Sequence, residues 1–225
     1  MKILCVPDVH GRDFWIEPCR NWQSSIVFLG DYHDPYTFQV SKEKSLENLK
    51  ELVEFITNNQ DRCTCLIGNH DCHYLNIRCP ESGRFDRYHY KEVQNLLKKL
   101  ELQWCLFSPG NIIFSHSGIL KGWLIDHAKN ITDILDMSFQ DEALDDVSPY
   151  RGGKFPSYRE HKVGSLIWGD LYEYDRSPHV EGYYQIFGHS QQDSDPIIKE
   201  DYACLDCRQC FIVDTETKEI KEWNK

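Results

Sequence analysis

An α/β fold with its chemistry gathered at the carboxyl ends of its strands is what this sequence predicts, on three observations. Short β-rich apolar runs at 2–6 (KILCV), 26–29 (IVFL) and 63–67 (CTCLI) each pass straight into a polar tip, at Asp8, Asp31 and Asn69-His70. Between the second and third runs, Leu46, Leu49, Leu52, Val53 and Ile56 recur at helical spacing. The composition, 40% hydrophobic and 27% charged over 225 residues, suits an ordinary globular chain with a sizeable core, read as one domain spanning 1–225.

Taken in order, the first strand ends before Asp8 and His10, which at i and i+2 of an extended segment face the same way and could meet one cation. The second strand ends at Gly30-Asp31. A helix follows over 41–57 with Ser41 as its N-cap. The third strand ends at Gly68-Asn69-His70-Asp71, and 93–102 reads as another helix. Residues 104–118 read as two strands joined at Ser108-Pro109-Gly110-Asn111, the second ending at His116. The stretch 119–148 looks helical, with a solvated acidic face. Residues 150–164 form the most Gly- and Arg-rich loop, too long to be a simple connection. A further strand enters Gly188-His189, and the C-terminal segment from Ala203 reads as two or three antiparallel strands with 203–213 as strand.

Several function classes drop out. No apolar stretch is long enough to span a bilayer, and the apolar start is too short for a secretory leader, so the expected compartment is the cytoplasm. Thiols stay reduced there, which makes the ten cysteines thiols rather than disulfides. A formal charge of −11 repels polyanions, which argues against nonspecific nucleic-acid binding.

Each tip alone says little, but their order says more: D-x-H-G (Asp8, His10), G-D-x-x-D (Asp31, Asp34), G-N-H-D (Asn69, His70), a strand ending in His116, and G-H (His189). The series resembles the calcineurin-like metallophosphoesterases, from residue 8 to residue 189. That resemblance implies a β-sandwich flanked by helices with a dinuclear metal site where the strand ends converge. It implies that Asp8 and His10 bind a first ion, that Asp31 bridges, and that Asn69, His116 and His189 complete a second. Mixed carboxylate and imidazole donors suit manganese best, with iron or zinc possible. Two such ions can share a hydroxide that attacks phosphorus. His70 would protonate the leaving oxygen, with Asp34 fixing its tautomer. Asp71 is read as structural, and His33 and His73 as neighbours of the motifs.

The chain also departs from the family's pattern. Where many members end in G-H-x-H it has Gln191, a poor ligand, as in the branch that resembles the phosphoprotein phosphatases and the diadenosine-polyphosphate hydrolases. The stretch 165–173, with Trp168 and Asp170, is similar to a Trp-x-Asp segment of the protein-phosphatase branch. Pro35 and Ile67 stand where that branch usually has phosphate-binding arginines. Arg151 and Arg159 are the expected replacements, with Arg84 and Arg87 behind them. The expected activity is hydrolysis of phosphomonoesters of the Ser/Thr protein-phosphatase type, on a phosphoprotein or a small phosphoester. The alternatives are a nucleotide pyrophosphohydrolase or phosphodiesterase, and, from another class, a non-catalytic metal-binding scaffold. Cys204, Cys207 and Cys210 have a cluster-like spacing, but a strand over 203–213 would turn Cys207 away from the other two, leaving buried thiols.

Overall fold

A computed structural model describes residues 1–77, 83–139 and 163–224. Its strands are β1 (Lys2–Val6), β2 (Ile26–Phe28), β3 (Cys63–Leu66), β4 (Leu102–Gln103), β5 (Cys105–Ser108), β6 (Ile112–Ser115), β7 (Tyr184–Phe187), β8 (Ile197–Ile198), β9 (Tyr202–Cys204), β10 (Phe211–Asp214) and β11 (Ile220–Glu222). They form two sheets. A six-stranded sheet runs β11-β10-β1-β2-β3-β4, and a five-stranded one runs β5-β6-β7-β9-β8. In the first, β1 through β4 are parallel; in the second, β6, β7 and β9 are parallel. The five strands that carry polar tips are therefore parallel partners within their own sheets.

The sheets pack face to face, which explains the sequence pattern of β1. Ile3 and Cys5 point into the layer between the sheets, where they meet Val27, Phe114, Ile186 and Ala203. Leu4 and Val6 point outward against Leu49, Leu52 and Val53. A strand covered on both faces reads as an unbroken apolar run rather than an alternation. Helices α1 (Ile16–Asn21), α2 (Lys42–Thr57), α3 (Asn69–Cys72) and α4 (Tyr90–Leu97) accompany the first sheet; its outer cover is α2 and α4, and Val93 and Leu97 of α4 join the same cluster. On the other side, α5 (Lys121–His127) brings Trp123 and Leu124 onto Ile113 and Phe187 of the second sheet. Burying each such side chain stabilises the fold by ~1.5–3 kcal/mol before entropy is charged against it.

Helix α2 starts where expected, with Ser41 Oγ accepting the Lys44 N–H at 3.2 Å. Other boundaries differ. The helix expected over 93–102 begins at Tyr90 and ends at Leu97, and Leu102–Gln103 instead extends the sheet beside β3. The stretch from 119 holds α5 and a 3-10 turn, Ile131–Asp136, rather than one helix, and its part from 140 lies outside the described residues. The strand expected over 203–213 is broken: β9 belongs to the second sheet and β10 to the first, so residues 205–210 cross between layers. Arg208 makes that turn at a φ of 65°. Consequently Cys204, Cys207 and Cys210 sit in three different clusters of the core, in buried positions. No helix among the described residues is long and apolar enough to cross a membrane.

Candidate metal centre

The five tips are tied together by their own backbones. His10 sits at a φ of 47°, so the chain leaves the extended path there, and its placement owes to a turn rather than to strand alternation as expected. In that turn the His10 N–H donates to Asp31 O at 2.7 Å and the Gly11 N–H to Tyr32 O at 3.0 Å. The second and third tips are joined by Asp71, whose carboxylate accepts the N–H groups of Gly68 (2.8 Å), Asp31 (2.9 Å) and Tyr32 (3.0 Å). The fourth and fifth meet where Gly188 N–H donates to His116 O at 2.8 Å. The fifth returns to the first: the His189 N–H donates to both Asp8 carboxylate oxygens, at 2.9 and 3.0 Å. Gly188 permits this approach, since a Cβ there would lie 1.8 Å from Asp8 Oδ2. Asp31, Asp34 and His189 also hold left-handed backbone, at φ of 53°, 59° and 62°.

This scaffold gathers two groups of donors that have Asp31 in common: His10, Asp31 and His70, and Asp31, His116 and His189. His10 Nδ1 faces the His33 carbonyl at 2.9 Å and His116 Nδ1 faces the Leu29 carbonyl at 2.8 Å, so each Nδ1 carries the proton and each Nε2 keeps its lone pair inward. Those lone pairs flank the bridge. His10 Nε2 lies 3.5 Å from Asp31 Oδ2, and His116 Nε2 lies 3.6 Å from Asp31 Oδ1. Asn69 Oδ1 stands 2.9 Å from His116 Nε2 and 3.0 Å from His189 Nδ1, which are themselves 3.1 Å apart. Donors held ~2.1 Å from one divalent ion at adjacent coordination positions lie ~3 Å from each other, which is the spacing found here. Asp8 belongs to neither group; its carboxylate is turned to the His189 N–H, at the margin of the centre.

The electrostatics suit a cation. Burial first, and then the neighbouring Asp31 charge, raise the Asp8 carboxyl above its ordinary value. Burial also lowers His10 well below the ordinary imidazole value, which keeps it in the neutral form a ligand requires. Asp206, buried in the crossing segment, is raised in the same way by burial and by Asp8. Centred on this pocket are thus carboxylates that a divalent ion would relieve and, in His10, an imidazole kept neutral for it.

Beside the first group, His70 Nδ1 lies 2.8 Å from Asp34 Oδ2. Asp34 Oδ1 accepts the Tyr74 hydroxyl and, at 3.3 Å, the Asp86 N–H. Burial pushes the Asp34 carboxyl up, but the hydrogen bonds from His70 and Tyr74 outweigh it and hold it below its ordinary value. The Nε2 of His70 is left facing the centre, 3.1 Å from Arg84 Nη2.

Residues 1–193 match the family profile of the calcineurin-like phosphoesterases. The chain belongs to that family. As a calcineurin-like phosphoesterase it falls in a group that uses a dinuclear divalent metal site, and its paired His/Asp groups are of that kind. It is 25% identical over 134 residues to the symmetrical bis(5'-nucleosyl)-tetraphosphatase of Nitrosospira multiformis, a match that covers 56% of this chain and 45% of that protein. The chain thus spans under half the length of that relative. Its fold is similar to a protein serine/threonine phosphatase from Saccharomyces cerevisiae that resembles human phosphatase PP5, at a TM-score of 0.54 and 14% identity, over 100% of this chain and 80% of the other.

Of the residues singled out in this phosphoesterase, Arg151 and Arg159 lie outside the described ones, and Arg87 is exposed. His33 serves the scaffold: its ring sits between Ser45 Oγ (2.9 Å) and Asp86 Oδ2 (3.3 Å). His73 packs on Phe85 at 5.6 Å. Trp168 stands edge-on to His189 at 5.7 Å, which gives the Trp-x-Asp segment a place in the wall of the site. Sequence reasoning missed Asp206, which nothing in the local sequence marks because it arrives through a loop whose path the pattern does not encode. Arg84, named there behind Arg151 and Arg159, stands beside the first donor group.

Proposed function

We propose that this chain is a dinuclear metal-dependent hydrolase of phosphomonoesters, of the Ser/Thr protein-phosphatase type. The observation that carries the reading is Asp31, shared by two donor groups beside an Asp34–His70 pair. Asp8 and His10 would hold the first ion, Asn69, His116 and His189 the second, and Asp31 both. When bound, the ions would supply Lewis acidity, lowering the pKa of a water and offsetting the charge that builds on the phosphoryl oxygens. His70 would deliver a proton to the leaving oxygen from Nε2, the nitrogen turned to the centre while Nδ1 is held by Asp34. That commitment also argues for His70 as proton donor rather than third ligand of the first group. Carboxylate, amide and imidazole donors together support manganese, with iron or zinc next. Nine free cysteines among the described residues support a reducing compartment, the cytoplasm.

A second reading, a nucleotide pyrophosphohydrolase, is favoured by a 290 Å³ cavity beside the centre, lined in part by Tyr36, Phe38, Phe85 and Lys42. Aromatic walls of that kind can stack a base. Turnover of p-nitrophenyl phosphate, its bis ester, a phosphoserine peptide and diadenosine tetraphosphate, each with added manganese, distinguishes the two. Monoester and peptide should be the better substrates; faster cleavage of the tetraphosphate replaces the first reading by the second. Absence of turnover on all four leaves the scaffold. His70→Asn should lower turnover ~10²–10⁴-fold with metal content unchanged.

A further inference from the structure

A phosphate dianion entering a cluster of buried carboxylates needs a cationic donor that is not already spent. Among the described residues, two guanidinium groups approach the centre. Arg12 is buried and tied to the scaffold, its Nη1 donating to Asp8 O at 3.2 Å and its Nε to Gln39 Oε1 at 2.9 Å, with only its buried Nη2 left without a partner. Arg84 is placed otherwise. We infer that Arg84 is the residue that grips the phosphate of the substrate, a role that rests on the phosphoesterase reading above.

Three features of its placement carry this. Its Nη2 reaches 3.2 Å from His10 Nε2 and 3.1 Å from His70 Nε2, between a ligand of the proposed first ion and the proposed proton donor. An ion held at the first group would take the His10 lone pair, and an anionic oxygen would then be the acceptor that replaces it for Nη2. The guanidinium is also pre-oriented: Nε donates to Asp34 O at 3.1 Å and the plane lies over the Tyr36 ring, 3.7 Å from its centroid. Last, the loop that delivers Arg84 is pinned. Asp86, two residues on, gives its N–H to Tyr74 Oη at 2.9 Å, and its carboxylate meets His89 (2.8 Å), His33 (3.3 Å) and Lys42 (3.4 Å). Arg84 then forms the wall between the donor cluster and the 290 Å³ cavity, where a phosphate joins its leaving group.

The test is calorimetric titration of inorganic phosphate into the manganese-loaded full chain, for the wild type, Arg84→Ala, Arg84→Lys and Tyr36→Leu. Manganese content and the kinetics of p-nitrophenyl phosphate are measured on the same samples. Arg84→Ala should weaken phosphate binding and raise KM by ~10-fold or more at unchanged manganese content. Arg84→Lys should recover only part, since it restores charge without the planar fork, and Tyr36→Leu should weaken binding several-fold by releasing the guanidinium. If Arg84→Ala fails to fold, Arg84→Gln carries the same expectation. Phosphate affinity within twofold of wild type in the Ala or Gln variant overturns the inference, as does a wild type that binds no phosphate. A wild type that binds phosphate through Arg84 but hydrolyses none of the four esters keeps Arg84 as an anion site and overturns the hydrolase reading instead.

Discussion

His70 owes its direction to Asp34, and the charge on Asp34 is what makes the pair more than a hinge. A buried carboxylate that stays ionised accepts Nδ1–H and so fixes the ring with Nε2 turned to the centre. Asp34→Asn keeps the shape and loses that charge, so turnover should fall ~10–100-fold while bound manganese stays the same; equal turnover would mean His70 acts without this support. The residues of this pair and the candidate donors were legible in the sequence because each stands in a polar tip straight after an apolar run, but the left-handed turns at His10, Asp31, Asp34 and His189 that aim them were not. Asp206 was not legible, and Arg84 only as an arginine named behind Arg151 and Arg159. Arg84 reaches the centre through a stacking contact with Tyr36, distant in sequence, and Asp206 through a layer crossing turned by Arg208 at a φ of 65°. A non-glycine residue in left-handed backbone leaves no mark in composition, which is also why 203–213 read as one strand.

At the scale of elements, the segment 83–89 is held to the sandwich by one acid. Burial pushes the Asp86 carboxyl up, yet hydrogen bonds from His89 and His33 and the charge of Lys42 outweigh this and hold it at about 2. In the unfolded chain a carboxyl of this type titrates near ~3.9, so the folded form is the one that binds the proton less readily. The stability this contributes is complete above ~3.9 and is lost as the pH falls toward about 2. Denaturant unfolding at a series of pH values should therefore show a shallower loss below pH ~4 in Asp86→Asn than in the wild type; parallel curves would refute the assignment. Two neighbouring elements make independent predictions. Ser41 caps α2, which carries Ser45 and Asn48 beneath the site, so Ser41→Ala should cost ~1 kcal/mol by the same measurement. Gly188→Ala drives a methyl into the Asp8 carboxylate and should cost ~1–3 kcal/mol along with manganese affinity; an alanine that retains both would show that the fifth tip can retreat from the first.

Over the whole molecule, two parallel-stranded regions deliver their carboxyl ends to one place, where Asp8, Asp31 and Asn69 on the side of the first sheet face His116 and His189 of the second. Asp8 from the first sheet is held against His189 from the second, and Asp206 sits close enough for its charge to act on the same spot. Without a cation, burial and mutual repulsion make this junction costly, as the raised Asp8 and Asp206 carboxyls record. With one, the same charges bind it. Metal at ~100 times its dissociation constant should add ~2.7 kcal/mol, which for a chain of this size moves the melting temperature upward by several degrees. Asp8→Asn should therefore reverse sign with conditions. Its amide oxygen still accepts the His189 N–H but carries no charge, so in excess EDTA the variant should melt at or above the wild type. In saturating manganese it should melt below, because it has given up a ligand. Calorimetric melts of both proteins under both conditions decide the matter. A variant that is less stable by the same amount with and without metal would mean that Asp8 contributes through its hydrogen bonds alone, and that the join between the sheets is not built around an ion.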